Sequence, residues 1–88
     1  MEELFEEVVF KHLKEYYPRT KFYTTSSMIG GNKYIWVNKQ SNFTTYAYLT
    51  YFRGEYWYAC ITNNSFKGKD VLSKELSILG FRVAGFNP

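Results

Sequence analysis

The sequence predicts an α+β fold, a two-layer sandwich with a mainly antiparallel sheet and the order α-β-β-β-β-α-β. Three observations predict it. Apolar residues recur at helical spacing at both ends of the chain. Between them lie four segments rich in β-branched and aromatic residues, punctuated by turn signals. These segments follow one another too closely for crossover connections, so they pair as a meander. All of this fits within 88 residues, which is read as one small α+β domain, 1–88.

Residues 2–17 read as the first helix, with Leu4, Phe5, Val8, Val9, Leu13 and Tyr16 on one stripe. Glu2, Glu3, Glu6 and Glu7 stand early, where the helix dipole favours negative charge, and Lys11 and Lys14 late. Pro18 ends it by pushing Tyr17 out of the α region. Residues 19–27 and 33–39 read as strands around a loop centred on Gly30, Gly31 and Asn32. Residues 43–52 and 55–62 are two longer strands. A basic loop, 63–69, leads to a helix over 70–79 with Val71, Leu72, Leu76 and Leu79 on one side. Asp70 suits its N-cap and Gly80 its C′ position. Residues 81–86 form a last strand, placed by this helix to cross over or to extend an edge.

The segment "TYAYLTYFRGEYWYACIT", residues 45–62, holds five of the nine tyrosines. Taking Phe52-Arg53-Gly54 as a three-residue loop puts Gly54 at the left-handed position. Tyr51 then pairs with Glu55, Leu49 with Trp57, Ala47 with Ala59 and Thr45 with Ile61. Alternation places Phe43, Ala47, Leu49, Tyr51, Trp57, Ala59 and Ile61 on a core face. The other face carries Thr44, Tyr46, Tyr48, Thr50, Tyr56, Tyr58, Cys60 and Thr62, with Tyr48 opposite Tyr58 and Thr50 opposite Tyr56. A tyrosine ring is apolar and its hydroxyl wants a partner, so such a face suits an interface. The same residues also make a stable solvated sheet, and the second helix could cover them.

The charge is +3, unevenly placed. Beyond residue 7, eleven Lys/Arg stand against four acids, a balance of +7 that favours acidic partners. Cys60 is the only cysteine, which excludes an internal disulfide and fits a reducing, cytoplasmic setting. It reads as a small buried apolar residue. The acidic amphipathic start is not a signal peptide, and no apolar run approaches the ~20 residues of a membrane span.

The sequence presents no catalytic or metal constellation, and no enzyme activity or cofactor is expected. His12, the only histidine, reads as a surface or half-buried structural residue of the first helix. "GGNK", residues 30–33, lacks the second glycine and the Ser/Thr of a phosphate loop, so it reads as a turn. "FKGKD", residues 66–70, places amides and lysines before a helix, a weak anion signal.

The leading functional expectation is a small non-enzymatic binding protein: an inhibitor, an adaptor or a homodimer. Its face comprises Tyr46, Tyr48, Tyr56 and Tyr58, with Arg53, Lys67 and Lys69 around it, and its partner is a protein or a second copy. The alternative is single-stranded nucleic-acid binding, with bases stacked on those tyrosines and Arg53, Lys33, Lys39, Lys67 and Lys69 on phosphates. That reading lacks an RRM aromatic signature. A second alternative is a degenerate nuclease-like fold without catalysis, kept for structural or regulatory use. The element order, and residues 59–86 at its close, loosely resemble the restriction-endonuclease core. Such enzymes need an Asp followed by Glu-x-Lys on adjacent strands. Here residues 16–54 hold no acid, and Glu55 is followed by Tyr56-Trp57.

Overall fold

A computed structural model of the chain describes residues 2–25, 31–39, 42–52, 56–61 and 66–85. The side chains of 36–39, 42–44, 51, 52, 56–58, 60 and 85 lie outside that description. The elements are α1 (Glu2–Tyr16), β1 (Phe22–Thr24), β2 (Asn32–Lys39), β3 (Asn42–Phe52), β4 (Tyr56–Ile61), α2 (Lys69–Ile78) and β5 (Arg82–Gly85). This is the predicted α+β order. The strands form one sheet in the order β1-β2-β3-β4-β5. The first four are antiparallel, and β5 runs parallel to β4. A parallel neighbour needs a crossover, and α2 supplies it.

Both helices pack on the same face of the sheet. Phe5, Val9 and Leu13 of α1 and Leu72 and Leu76 of α2 share one core with Ile35, Ala47, Leu49, Ala59 and Ile61. α2 lies against β4, β5 and α1. The reading in which residues 70–79 cover the tyrosine face is therefore corrected. Leu72 and Leu76 take α2 to the face that α1 already covers. No helix among the described residues is long and apolar enough to cross a membrane.

The α2 termini follow from local sequence, with one correction. Its N-cap is Gly68, at φ 72°, with no side-chain cap bond, and Asp70 stands inside the first turn. Asp70 thus acts through the helix dipole and not as the cap. At the other end Gly80 has φ 100°. The Gly80 amide donates to the Ser77 carbonyl at 3.1 Å and the Phe81 amide to the Leu76 carbonyl at 3.1 Å. This pair of bonds is a Schellman motif. Phe81 and Leu76, both buried, supply its apolar contact.

Two details of register differ from expectation. β3 and β4 pair Ala47 with Ile61, Tyr48 with Cys60, Leu49 with Ala59, Thr50 with Tyr58, Tyr51 with Trp57 and Phe52 with Tyr56. The strands therefore join through 53–55 and not through Phe52-Arg53-Gly54. This is a slip of two residues, which preserves parity because side chains alternate with period two, and among the described side chains Ala47, Leu49, Ala59 and Ile61 lie buried on the predicted core face. The loop residues Arg53, Gly54 and Glu55 lie outside the described residues.

The second difference does change a face. Along β2 and β3, Ile35 pairs with Ala47 but Trp36 pairs with Thr45. Tyr46 is the extra residue of a β-bulge. A bulge sets two residues of one strand against one of the other and breaks the alternation. Ala47 is fully buried and Tyr46 packs against the same core.

Candidate binding face of the sheet

The helix-covered side holds several of the predicted site residues. Alternation places Tyr46 beside Tyr48, but the bulge turns it toward the helices. Its ring lies 5.9 Å from Tyr17, 5.3 Å from Phe22 and 5.3 Å from Phe66, centroid to centroid. All three contacts are edge-on, the arrangement aromatic quadrupoles favour. Burial, and then the neighbouring Tyr17 hydroxyl, hold the Tyr46 hydroxyl above the usual tyrosine range. Tyr46 therefore belongs to the core side and is removed from the open tyrosine set.

Lys67 also sits on the helix side. Residues 66–68 dock on the end of α1. Phe66 is buried. The Lys67 amide donates to the Tyr17 hydroxyl at 2.9 Å, and the Lys67 ammonium stands 6.0 Å from the Tyr17 ring centre. His12 Nε2 donates to the Lys67 carbonyl at 3.3 Å. A carbonyl can only accept, so Nε2 carries the proton. The His12 ring stacks on Tyr16 at 4.4 Å. His12 is 4 % exposed, more deeply buried than its sequence position implies, and its role is structural. Lys69 begins α2 immediately beyond this loop. Neither Lys67 nor Lys69 surrounds the tyrosine face as expected, because Phe66 anchors their segment beneath α1.

Lys33, expected beside a nucleic-acid platform, points the same way. It pairs across the sheet with Leu49 and is 5 % exposed. Its ammonium lies 3.2 Å from Glu6 and 3.6 Å from Glu2. Two carboxylates on the inner side of α1 thus compensate one buried cation.

The opposite face of the sheet is left to the tyrosines. No described element lies over it. Tyr34 and Tyr48 are direct cross-strand partners, with ring centres 5.6 Å apart. Asn32 donates to the Tyr34 hydroxyl at 3.1 Å, and the Thr50 hydroxyl donates to the Gly31 carbonyl at 3.3 Å. Tyr23 of β1, paired with Trp36, is 44 % exposed. At the far side Arg82 of β5 is exposed and pairs with Tyr58. Its neighbours Phe81 and Val83 face the core, so Arg82 faces outward.

Of the expected set, Tyr48 stands on this face. Tyr56 and Tyr58 are in register with Phe52 and Thr50, but their side chains lie outside the described residues, as do those of Cys60, Phe43, Tyr51, Trp57 and Lys39. Arg53 lies outside them altogether. Thr50, placed on this face by alternation, stands there as well, and the structure adds Tyr23, Tyr34 and Arg82, which the sequence reading does not assign to the site. The signal for Tyr34 is present: it alternates with Lys33 and Ile35 in a strand that has to pair with Tyr48's strand. Among the described residues, no three His, Cys, Asp or Glu side chains converge to hold a metal ion. Compared with known protein families, curated proteins and solved structures, the chain matches none.

Proposed function

We propose that this chain is a non-enzymatic binding protein that docks another protein on the uncovered face of its sheet. The observation that carries the reading is the asymmetry of the two faces. One is sealed by both helices. The other presents the Tyr34–Tyr48 ring pair, the exposed Tyr23, Thr50 and the outward Arg82. Rings of this kind bury a large apolar area at small entropic cost, and their hydroxyls find acceptors on a protein partner. Arg82, at the β5 edge of this face, favours a partner with a carboxylate at the rim. An inhibitor or adaptor works in this way, by occupying a surface and performing no chemistry on it.

The nucleic-acid reading has less support. It needs lysines around the stacked rings, yet Lys33 is ion-paired beneath α1 and Lys67 lies on the helix side. The test is capture with the Tyr34→Ala/Tyr48→Ala variant. A cross-strand aromatic pair contributes only about 0.2–1 kcal/mol, so the variant remains folded. The expected result is a partner bound by the wild-type chain and released by the variant, with unchanged circular dichroism. Undiminished capture by the folded variant overturns the proposal.

A further inference from the structure

α2 carries a second, outward stripe. Val71, Lys74, Glu75 and Ile78 stand at i, i+3, i+4 and i+7, so they share one side of the helix. Leu72 and Leu76 are fully buried on another side. Val71 is 56 % exposed and Ile78 is 76 % exposed. Leu79, 39 % exposed, continues the apolar surface toward α1. There a groove of about 290 Å³ is lined by Leu4, Val8 and Leu79, with Glu7, Lys11 and Glu75 as its polar rim.

The order of residues along this stripe is self-complementary. In an antiparallel two-fold pairing, residue i of one copy meets residue j of the other, and j meets i. Centre the two-fold axis between Lys74 and Glu75. Val71 then meets Ile78 of the second copy, and Lys74 meets its Glu75. Each contact occurs twice: apolar pairs close the two ends and opposite charges meet in the middle. A parallel pairing sets Lys74 on Lys74 and Glu75 on Glu75, which repel. The stripe therefore encodes both a partner and an orientation.

We infer that α2 packs antiparallel on α2 of a second copy of this chain, through Val71, Lys74, Glu75 and Ile78. A helix of ten residues is only about 15 Å long. The interface is accordingly small and the dimer dissociates on dilution. It lies on the helix side, so both tyrosine faces stay open and the dimer presents two of them. Two linked sites raise the avidity for a repetitive or dimeric target.

The test is sedimentation equilibrium on the full chain over a dilution series, with circular dichroism to confirm the fold. The wild type associates with concentration. Ile78→Asp abolishes association, because it buries a charge against Val71. Lys74→Glu weakens it, because the introduced carboxylate then faces Glu75 of the second copy, and the charge swap K74E/E75K restores it. The Tyr34→Ala/Tyr48→Ala variant associates like the wild type. A wild-type chain that stays monomeric at every concentration overturns the inference. So does a swap that fails to restore association, or a dimer lost on changing the tyrosines instead of α2.

Discussion

Gly68→Ala is the sharpest probe of how the loop before α2 is held. Two costs add at this position. The first is conformational: Gly68 has φ 72°, where an L-residue with a Cβ costs roughly 1–2 kcal/mol. The second is steric. A Cβ on Gly68 falls 2.5 Å from Tyr16 Cζ, 2.8 Å from Tyr16 Cε2 and 2.9 Å from His12 Cε1. To make room, the Tyr16 ring must leave its stack on His12, worth about 0.5–1.5 kcal/mol. The His12 bond to the Lys67 carbonyl is strained with it, at about 0.5–1.5 kcal/mol. The total is about 2–5 kcal/mol. Gly80→Ala is the internal control. Gly80 has φ 100°, but a Cβ there meets nothing within 4 Å. It carries the conformational cost alone. Urea denaturation, with slopes compared to confirm an unchanged unfolding transition, measures both. Gly68→Ala is expected to cost about 1–3 kcal/mol more than Gly80→Ala, and the excess shrinks in a Tyr16→Ala background. Equal costs for the two glycines refute the docking of residues 66–68 on α1.

Three further expectations follow from the helix side of the sheet. Lys33→Met keeps the stem and removes the charge, so stability stays within about 1 kcal/mol of wild type, since buried pairs are replaceable by apolar groups. Glu2→Gln with Glu6→Gln strands the ammonium instead. Those carboxylates are themselves 35 % and 24 % exposed, which reduces the usual penalty for a buried orphan charge to about 2–3 kcal/mol by thermal or urea melts. Tyr46 predicts a pH dependence. Its hydroxyl titrates above the usual value because burial favours the neutral form. The stabilisation is complete below the unfolded tyrosine pKa of about 10 and is lost as pH rises through the folded value. Tyr46→Phe cannot ionise, so its stability falls less between neutral and alkaline pH than that of the wild type. Identical pH profiles contradict the burial of Tyr46.

Particular residues explain how much is legible in advance. The element order is legible because α1 and α2 carry helical apolar spacing and the strands between them are close, but Val71, read on the same side of α2 as Leu72 and Leu76, is 56 % exposed and does not share their buried side. Gly80 is legible as a C′ residue because a helix end needs a left-handed position there. The core positions Ala47, Leu49, Ala59 and Ile61 are legible even with the loop misplaced, since a two-residue slip preserves parity. The bulge at Tyr46 is not. Nothing in "TTYAYLT" marks it: no glycine or proline interrupts the alternation, and only the aromatic cavity formed by Tyr17, Phe22 and Phe66 draws the ring inward. Lys33 and Phe66 escape sequence reasoning for the same reason. Each is buried by residues remote in sequence, Glu2 and Glu6 in one case and the end of α1 in the other. Glu2 and Glu6, four apart beside the apolar stripe of α1, are a hint that a cation stands opposite.

The central claim is that the sheet seals one face and binds through the other. Hydroxyl-radical footprinting, with each residue read by mass spectrometry, tests it directly on the chain alone and with its captured partner. In the free chain Tyr23 and Tyr48 label, and Phe5, Leu13 and Leu76 stay protected. On binding, Tyr23, Tyr34 and Tyr48 lose reactivity while Tyr46 and Tyr17 are unchanged. Protection confined to the helix side, with Tyr23 and Tyr48 still reactive in the complex, contradicts the account.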